Sequence, residues 1–224
     1  MKQDIYPNIK LVNCVSEVEF AELVCLNLFN KYVQTINRSR NFNLVLSGGR
    51  TPILIYEYLR INYLNKFDWE KVFFYFVDER CVKPSSPISN YFNAKKHLFD
   101  YIDLPNVIRL KGEIDPLKAA NEYDGLLKGV ILHCAILGMG EDGHVGSIFP
   151  DSPELLELAN VISTKQKHFN YRRLSLGLNA INNIECKILI INKSKAKLNI
   201  LKSGNLSYPI NRLTNLIVLA NESD

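Results

Sequence analysis

The feature that most restricts the fold of this 224-residue chain is its alternation of short apolar runs with amphipathic helical patterns. Such an alternation predicts an α/β fold, in which helices pack on the faces of a sheet, rather than separate all-α and all-β parts. The predicted helices are residues 16–32, 52–59, 90–99, 116–127 and 194–201. The predicted strands are residues 42–46, 72–77, 131–137, 188–191 and 216–219.

Residues 173–178 depart from this pattern, because their apolar and polar residues alternate one by one (RLSLGL). A period of two is typical of a half-buried strand, so we expect this segment to add an antiparallel element. No linker, internal repeat or low-complexity tail interrupts the chain, and one domain is therefore predicted over residues 1–224.

The composition excludes several classes of protein. No apolar stretch approaches the roughly 18 residues that span a bilayer, and the first residues (MKQDIYPNIKLVN) lack the apolar core of a secretory signal. The net charge of +4 comes from lysines and arginines that are spread along the chain, without the basic stripe expected of a nucleic-acid-binding protein. These observations predict a cytoplasmic protein that has neither a membrane nor a nucleic acid as its partner.

Five cysteines are present, and none of them forms a C-x-x-C pair. Their odd number and the apolar surroundings of several of them favour reduced, buried thiols. Neither a disulfide framework nor a zinc site is predicted.

A glycine-rich turn, GMGEDGHVGSIFP over residues 138–150, follows the apolar run at residues 131–137. Ligands of open α/β sheets bind at the carboxyl ends of the strands, which is where this turn lies. Histidine is the only residue type in this turn whose ordinary pKa lies near neutral, which suits His144 to accept a proton from water and return it to a leaving group. A solvated loop histidine is the alternative, but the glycines and the nearby Asp142 favour an active site.

A second turn, with the sequence SGGRTP, joins the strand at residues 42–46 to a helix. Ser47, Gly48, Gly49 and Thr51 are the small residues that let backbone N–H groups approach a phosphate at the positive end of a helix dipole. The turn is neither a G-x-G-x-x-G nor a Walker A motif, so no nucleotide is predicted. A tight turn with a threonine cap is the alternative.

Three charged residues, Asp78, Glu79 and Arg80, follow the strand at residues 72–77 directly. Side chains at this edge of a sheet converge on bound ligands, and a guanidinium such as that of Arg80 matches the geometry of a phosphate. A local ion pair is the alternative for one of the three. Asn90 begins the next helix, either as a cap or as a ligand-binding residue.

Lys195 lies where a strand gives way to a helix, a place where the helix dipole disfavours a cation unless an anion is bound. Its neighbours Lys193 and Lys197 are expected to be solvated. Structural roles are expected for three other histidines. These are His97, His133 and His168.

Together these segments resemble the 6-phosphogluconolactonases, which share a superfamily with the glucosamine-6-phosphate deaminases. The turn SGGRTP is similar to S-G-G-[ST]-[TS]-P, with Arg50 at a position where a small hydroxyl residue is commoner. The DER segment, followed by Ser89-Asn90, matches D-E-R…S-N, and residues 138–150 are similar to G-x-G-x-D-G-H-T-A-S-L-F-P. Val145 and Gly146 replace the usual threonine and alanine. RLSL and the Lys195-Ala196 pair match two further elements.

The resemblance implies a Rossmann-like three-layer sandwich with a mostly parallel sheet and helices on both faces. It also implies the hydrolysis of 6-phospho-D-glucono-1,5-lactone in the oxidative pentose phosphate pathway, with no metal or other cofactor and with a functional link or fusion to glucose-6-phosphate dehydrogenase. The catalytic residues would be His144, Asp142 and Arg80. Substrate would be held by Ser47, Gly48, Gly49, Arg50, Thr51, Asp78, Asn90, Gly140, Arg173 and Lys195.

In this scheme His144 is the general base and then the general acid, and Asp142 orients the imidazole or a water. Arg80 stabilises the oxyanion or binds sugar hydroxyls, and these alternatives stay open. The deaminase motif has D-E-Y where this chain has DER (residues 78–80), and it has a glutamate where this chain has Phe149. The lactonase is therefore preferred over the deaminase. A sugar-phosphate sensor without catalysis is a further alternative. A serine hydrolase is disfavoured because no G-x-S-x-G motif is present.

Overall fold

A computed structural model gives the fold over residues 9–164 and 170–222. Within these residues the strands are β1 (Ile9–Cys14), β2 (Phe42–Leu46), β3 (Val72–Phe76), β4 (Asp78–Arg80), β5 (Asn106–Val107), β6 (Cys134–Leu137), β7 (Val161–Thr164), β8 (Arg173–Leu176), β9 (Cys186–Asn192) and β10 (Leu216–Asn221). The helices are α1 (Glu17–Ile36), α2 (Arg50–Tyr63), α3 (Asn90–His97), α4 (Pro116–Leu127), α5 (Leu178–Asn182) and α6 (Lys195–Ser203).

Seven of these strands form one sheet in the order β1-β10-β9-β6-β2-β3-β5, and each of its ladders is parallel. The strands are nearly continuous apolar runs because both faces of the sheet are covered. Phe76 packs against Tyr91 of α3, whereas its neighbour Tyr75 packs against Tyr123 of α4. Adjacent residues of a strand point to opposite faces, so α3 and α4 lie on opposite sides. The predicted three-layer α/β sandwich is confirmed.

Local signals account for α1. Ser16 is its N-cap, and the Ser16 hydroxyl accepts a hydrogen bond from the Glu19 N–H at 3.1 Å. The Glu19 carboxylate reaches back to the N–H of Val15 at 2.6 Å, one residue before the partner that a standard capping box uses. The helix continues to Ile36, four residues beyond the predicted end.

A second, antiparallel sheet has the order β4-β8-β7. Its central strand β8 is the antiparallel element expected from the alternating segment. The prediction that this strand is half-buried is wrong, because all four of its residues are buried between two neighbouring strands and against α4. The DER segment is itself a strand of this sheet, rather than a loop at the end of the main one.

The connections of the main sheet change direction between β2 and β6. From β2 the chain proceeds to β3 on one side, and from β6 it proceeds to β9 on the other. A crevice forms outside the carboxyl ends of two such strands, and it is where open α/β sheets bind ligands. The turns that follow β2 and β6 are the two glycine-rich turns of the sequence.

No described helix is long and apolar enough to cross a membrane.

The Tyr123 hydroxyl ties α4 to the end of β3, because it accepts from the Phe76 N–H at 2.9 Å and donates to the Phe76 carbonyl at 3.2 Å. We expect Tyr123→Phe to leave both buried backbone groups unpaired and to lower the free energy of unfolding in urea by about 1–3 kcal/mol. Tyr101→Phe is the matched control, since the Tyr101 ring is half exposed and its hydroxyl bonds to no described residue. This control should stay within about 0.5 kcal/mol of wild type. Equal losses in the two variants would contradict the prediction.

Candidate active site

A cavity of about 600 Å³ opens at the carboxyl ends of the central strands. The turns that follow β2, β6 and β9 supply most of its lining, and β4 and β8 add Asp78, Arg80 and Arg173. The structure therefore brings together segments that lie more than 100 residues apart in the sequence.

The first turn of α2 forms one wall of this cavity. Gly48, Gly49, Arg50 and Thr51 all line it, as expected for the turn SGGRTP. Gly49 is the N-cap and has no side chain with which to cap, and the first turn of the helix contains no acidic residue. Its backbone N–H groups and the positive end of its dipole thus favour an anion in the cavity.

Ser47 also lines the cavity, but its hydroxyl is used within the fold. It donates to the Ile136 carbonyl at 2.8 Å and accepts from the Gly138 N–H at 3.4 Å. The Ser47 carbonyl accepts from the Tyr56 hydroxyl at 2.5 Å. These bonds join the end of β2 to the end of β6 and so fix the spacing of the two glycine-rich turns.

The buried carboxylate of Asp78 connects four elements. One oxygen accepts from the Asn90 amide of α3 at 2.9 Å, and the other accepts from the Ser147 hydroxyl at 2.7 Å. The Arg173 guanidinium lies 4.0 Å from the second oxygen. Ser147 in turn donates its backbone N–H to the Ser175 hydroxyl of β8 at 3.0 Å. The network ties the His144 turn to both sheets.

Asn90 does not line the cavity, although the sequence suggested that it binds substrate. It is almost fully buried, and its amide is committed to the carbonyl and the carboxylate of Asp78. A Cβ added at Gly48 would lie 1.7 Å from Asn90 Oδ1. The glycine is thus required for close packing between the SGGRTP turn and α3, and Asn90 positions Asp78.

Glu79 is the member of the DER segment that faces away from the cavity. Its carboxylate accepts from the Arg80, Asn90 and Tyr91 N–H groups at 2.7–2.9 Å and from the Ser89 hydroxyl at 2.8 Å. Burial raises the pKa of this carboxyl above its ordinary value, although these four bonds oppose the shift. Glu79 therefore fixes the start of α3 by accepting hydrogen bonds from its first residues.

Arg80 lines the cavity and is anchored through Nη1, which donates to the Ile88 carbonyl. Its buried Nε has no hydrogen-bond partner within the described residues. A guanidinium fixed in this way keeps donors available for a bound ligand.

His144 lines the cavity, and its Nδ1 lies 2.6 Å from Asp142 Oδ1. Burial alone would raise the pKa of the Asp142 carboxyl, but the hydrogen bond and the charge of His144 outweigh it and hold this pKa below its ordinary value. An ionised carboxylate only accepts, so Nδ1 carries the proton that faces Asp142, and Nε2 has a free lone pair whenever the ring is neutral. Asp142 itself is half exposed and lies outside the lining.

Close packing explains the predicted glycine of this turn. A Cβ added at Gly140 would lie 2.1 Å from His144 Nδ1 and 2.4 Å from Asp142 Oδ1. Gly140 therefore makes room for the pair and does not line the cavity. Of the two departures from the family pattern in this turn, Val145 is fully buried, whereas Gly146 lines the cavity with a φ of +57°.

Lys195, which the resemblance expects to bind substrate, is exposed and lies outside the cavity lining. Lys197, expected to be solvated, lines the cavity, and so does Lys193. The two positions differ because residues two apart on an α-helix are separated by about 200° around the helix axis and so lie on nearly opposite faces. Of the two lysines in the first turn of α6, only Lys197 faces inward.

Two of the remaining histidines have structural contacts. His133 Nδ1 accepts from the Asn43 N–H at 2.9 Å, and His97 Nδ1 lies 2.9 Å from a carboxylate oxygen of Glu57. His168 lies outside the described residues.

The sequence did not identify several members of the site, namely Ser147, Ser175, Glu141, Lys193 and Lys197. A local signal exists for Ser147, which lies within the segment at residues 138–150 that resembles the family motif. The pairing of Ser147 with Ser175 links positions 28 residues apart, and no sequence pattern announces it.

The cavity favours anionic ligands. Its lining contains five cationic side chains and three carboxylates, in addition to the start of α2. No group of three or more histidine, cysteine, aspartate or glutamate side chains within the described ranges could hold a metal ion.

The chain is similar to proteins of one family over most of its length. The family model for glucosamine-6-phosphate isomerases/6-phosphogluconolactonase matches residues 16–215. A 6-phosphogluconolactonase from Xylella fastidiosa is 33% identical over 91% of this chain and 90% of its own length. A GDH/6PGL endoplasmic bifunctional protein from Oryctolagus cuniculus is 32% identical over 76% of this chain, which corresponds to 23% of that longer protein.

Among solved structures, a 6-phosphogluconolactonase from Thermotoga maritima superposes with a TM-score of 0.85 and 26% identity. The match covers 95% of this chain and 99% of that one.

The contact between Gly48 and Asn90 gives a test of the site's packing. We expect Gly48→Ala to force the Asn90 amide away from Asp78 and to lower the free energy of unfolding by about 1–3 kcal/mol, measured in urea. Gly138→Ala is the matched control, because a Cβ there meets no atom within 4 Å. A control within about 0.5 kcal/mol of wild type is expected. A Gly48→Ala variant as stable as the control would contradict the packing argument.

Proposed function

This chain belongs to the glucosamine-6-phosphate isomerase/6-phosphogluconolactonase family, and we propose that its cavity hydrolyses 6-phospho-D-glucono-1,5-lactone to 6-phosphogluconate. The reaction is the second step of the oxidative pentose phosphate pathway. The observation that carries the proposal is the His144–Asp142 pair, which borders a cavity whose other wall is the uncapped start of α2. One end of the cavity offers a proton acceptor, and the other offers an anion site.

In the proposed mechanism, Nε2 of His144 removes a proton from a water molecule as the water oxygen attacks the lactone carbonyl carbon. The carbonyl oxygen becomes an oxyanion, and the Arg80 guanidinium, which lines the cavity and is held by the Ile88 carbonyl, stabilises it. Collapse of this intermediate breaks the bond to the ring oxygen, which takes the proton from His144. The products are a carboxylic acid, which releases its proton to solvent at neutral pH, and a free hydroxyl on the same open chain.

The substrate phosphate lies at the start of α2 in this scheme. The N–H groups of Gly49, Arg50 and Thr51 provide donors there, and the side chains of Arg50 and Thr51 extend the site. Arg173 is buried beside Asp78 and over the Phe149 ring, so it borders the cavity from the side of β8. We propose Lys197 in place of Lys195 as the lysine of this site.

Phe149 favours lactone hydrolysis over deamination. Its ring centroid lies 4.5 Å from that of His144, at the position where the deaminase motif carries a glutamate that positions the catalytic histidine. A phenyl ring can neither accept nor donate a proton, so Asp142 is the carboxylate that orients the imidazole here.

The proposed reaction also suggests partners and a location. The substrate is a small phosphorylated lactone, and we propose a functional link to the dehydrogenase that produces it, since a bifunctional GDH/6PGL protein contains a similar segment. The five cysteines are free thiols. Free thiols are usual in a reducing compartment, and we propose the cytoplasm. We also propose that residues 1–224 act as one domain.

The test is the decay of freshly prepared 6-phosphogluconolactone, with a no-enzyme control because the lactone hydrolyses spontaneously. We expect wild type to accelerate the decay and His144→Ala to reduce the rate by at least about 100-fold, toward the spontaneous rate, because the general base is lost. His97→Ala is the matched control, since His97 contacts Glu57 away from the cavity. Its rate should stay near that of wild type.

If wild type leaves the spontaneous rate unchanged, the lactonase proposal is wrong. Ammonia release from glucosamine 6-phosphate would then indicate a deaminase, and binding of 6-phosphogluconate without turnover would indicate a sensor. An active His144→Ala variant would leave the reaction in place and overturn the assignment of the base.

A further inference from the structure

Lys197 occupies an unusual position for a lysine. It lies in the first turn of α6, where the Ser194 hydroxyl accepts its backbone N–H at 3.4 Å, and its side chain lines the cavity. A cation near the amino end of a helix is destabilised by the helix dipole. The first turn of α6 contains no acidic residue that would offset this effect.

The surroundings of the Lys197 ammonium are cationic as well as anionic. Arg50 of α2 faces it across the cavity and repels it, whereas Glu141 and Asp142 of the His144 turn attract it. Burial is the largest influence on the group, and the pKa of Lys197 is held below its ordinary value. No carboxylate of the described residues lies within 4 Å of its ammonium, so Lys197 makes no ion pair there.

An anionic ligand would remove this unfavourable arrangement. It would lie between Arg50 and Lys197, each in the first turn of a helix whose amino end reaches the cavity. Charge-assisted hydrogen bonds from both side chains would replace the water lost from a partly buried ammonium. Lys195 cannot contribute in the same way, because it is exposed and points away from the cavity.

We infer that Lys197, assisted by Arg50, binds the phosphate of the substrate and sets the preference for a phosphorylated lactone over an unphosphorylated one. The inference rests on the proposed function and assigns a specificity residue within it. It places the phosphate lysine two positions after the one that the family motif indicates.

The experiment compares 6-phosphogluconolactone with glucono-1,5-lactone, which has the same ring and no phosphate. For Lys197→Met we expect KM for the phosphorylated lactone to rise about ten-fold, because one charge-assisted contact is lost. Its kcat should change by less than about two-fold, because the contact is made equally in the ground state and the transition state. The kcat/KM for glucono-1,5-lactone should not change, and Lys197→Arg should restore KM for the phosphorylated lactone.

Two further lysines of α6 provide controls of equal charge change. Lys202→Met removes a cation from the last turn of the helix, outside the cavity lining, and KM should stay at the wild-type value. Lys195→Met tests the motif's lysine directly. A rise in KM for Lys195→Met but not for Lys197→Met would overturn the inference, and so would an equal rise for both lactones in Lys197→Met.

The failure of this inference and the failure of the proposed function give different results. If wild type leaves both lactones at their spontaneous rates, the proposed function is wrong, whatever Lys197 does. Calorimetric binding of 6-phosphogluconate still tests the lysine in that case. A Kd about ten-fold weaker for Lys197→Met than for Lys202→Met supports the inference, and equal Kd values overturn it.

Discussion

The site depends on the buried carboxylate of Asp78. Its two oxygens accept from Asn90 and Ser147, and Arg173 lies beside it, so one side chain connects β4, α3, β8 and the turn that contains His144. A buried carboxylate is stable only when hydrogen-bond donors or cations face its oxygens. The loss of either donor, Asn90 or Ser147, would therefore destabilise Asp78 and with it the whole network. Asn90 can reach Asp78 only because Gly48 has no side chain, which extends the same constraint to the start of α2.

Two aspartates of the site have different roles because their environments differ. Asp78 is buried, and both of its oxygens are occupied by donors of the fold, so it maintains geometry. Asp142 is half exposed, and its short bond goes to the ring of His144. The chain thus separates the carboxylate that builds the cavity from the one that holds the imidazole ring of His144.

Much of the fold could be predicted because its signals are local. The strand at residues 42–46 and the helix at residues 116–127 have the predicted limits, since an apolar run defines the first and Asp115 with Pro116 defines the start of the second. Three strands that lie at sheet edges, β1, β5 and β7, were not predicted. Short edge strands form because a neighbouring strand offers a partner, and that partner is distant in the sequence.

The site could be predicted in part, for the same reason. Both glycine-rich turns follow predicted strands, and a parallel sheet brings the carboxyl ends of such strands together. Which lysine of α6 enters the cavity depends on the rotation of the helix, about 100° per residue, and hence on where the cap lies. Ser194 caps the helix, so Lys197 faces the cavity and Lys195 does not. Motif matching locates the helix, whereas the rotation of the helix decides which side chain lines the cavity.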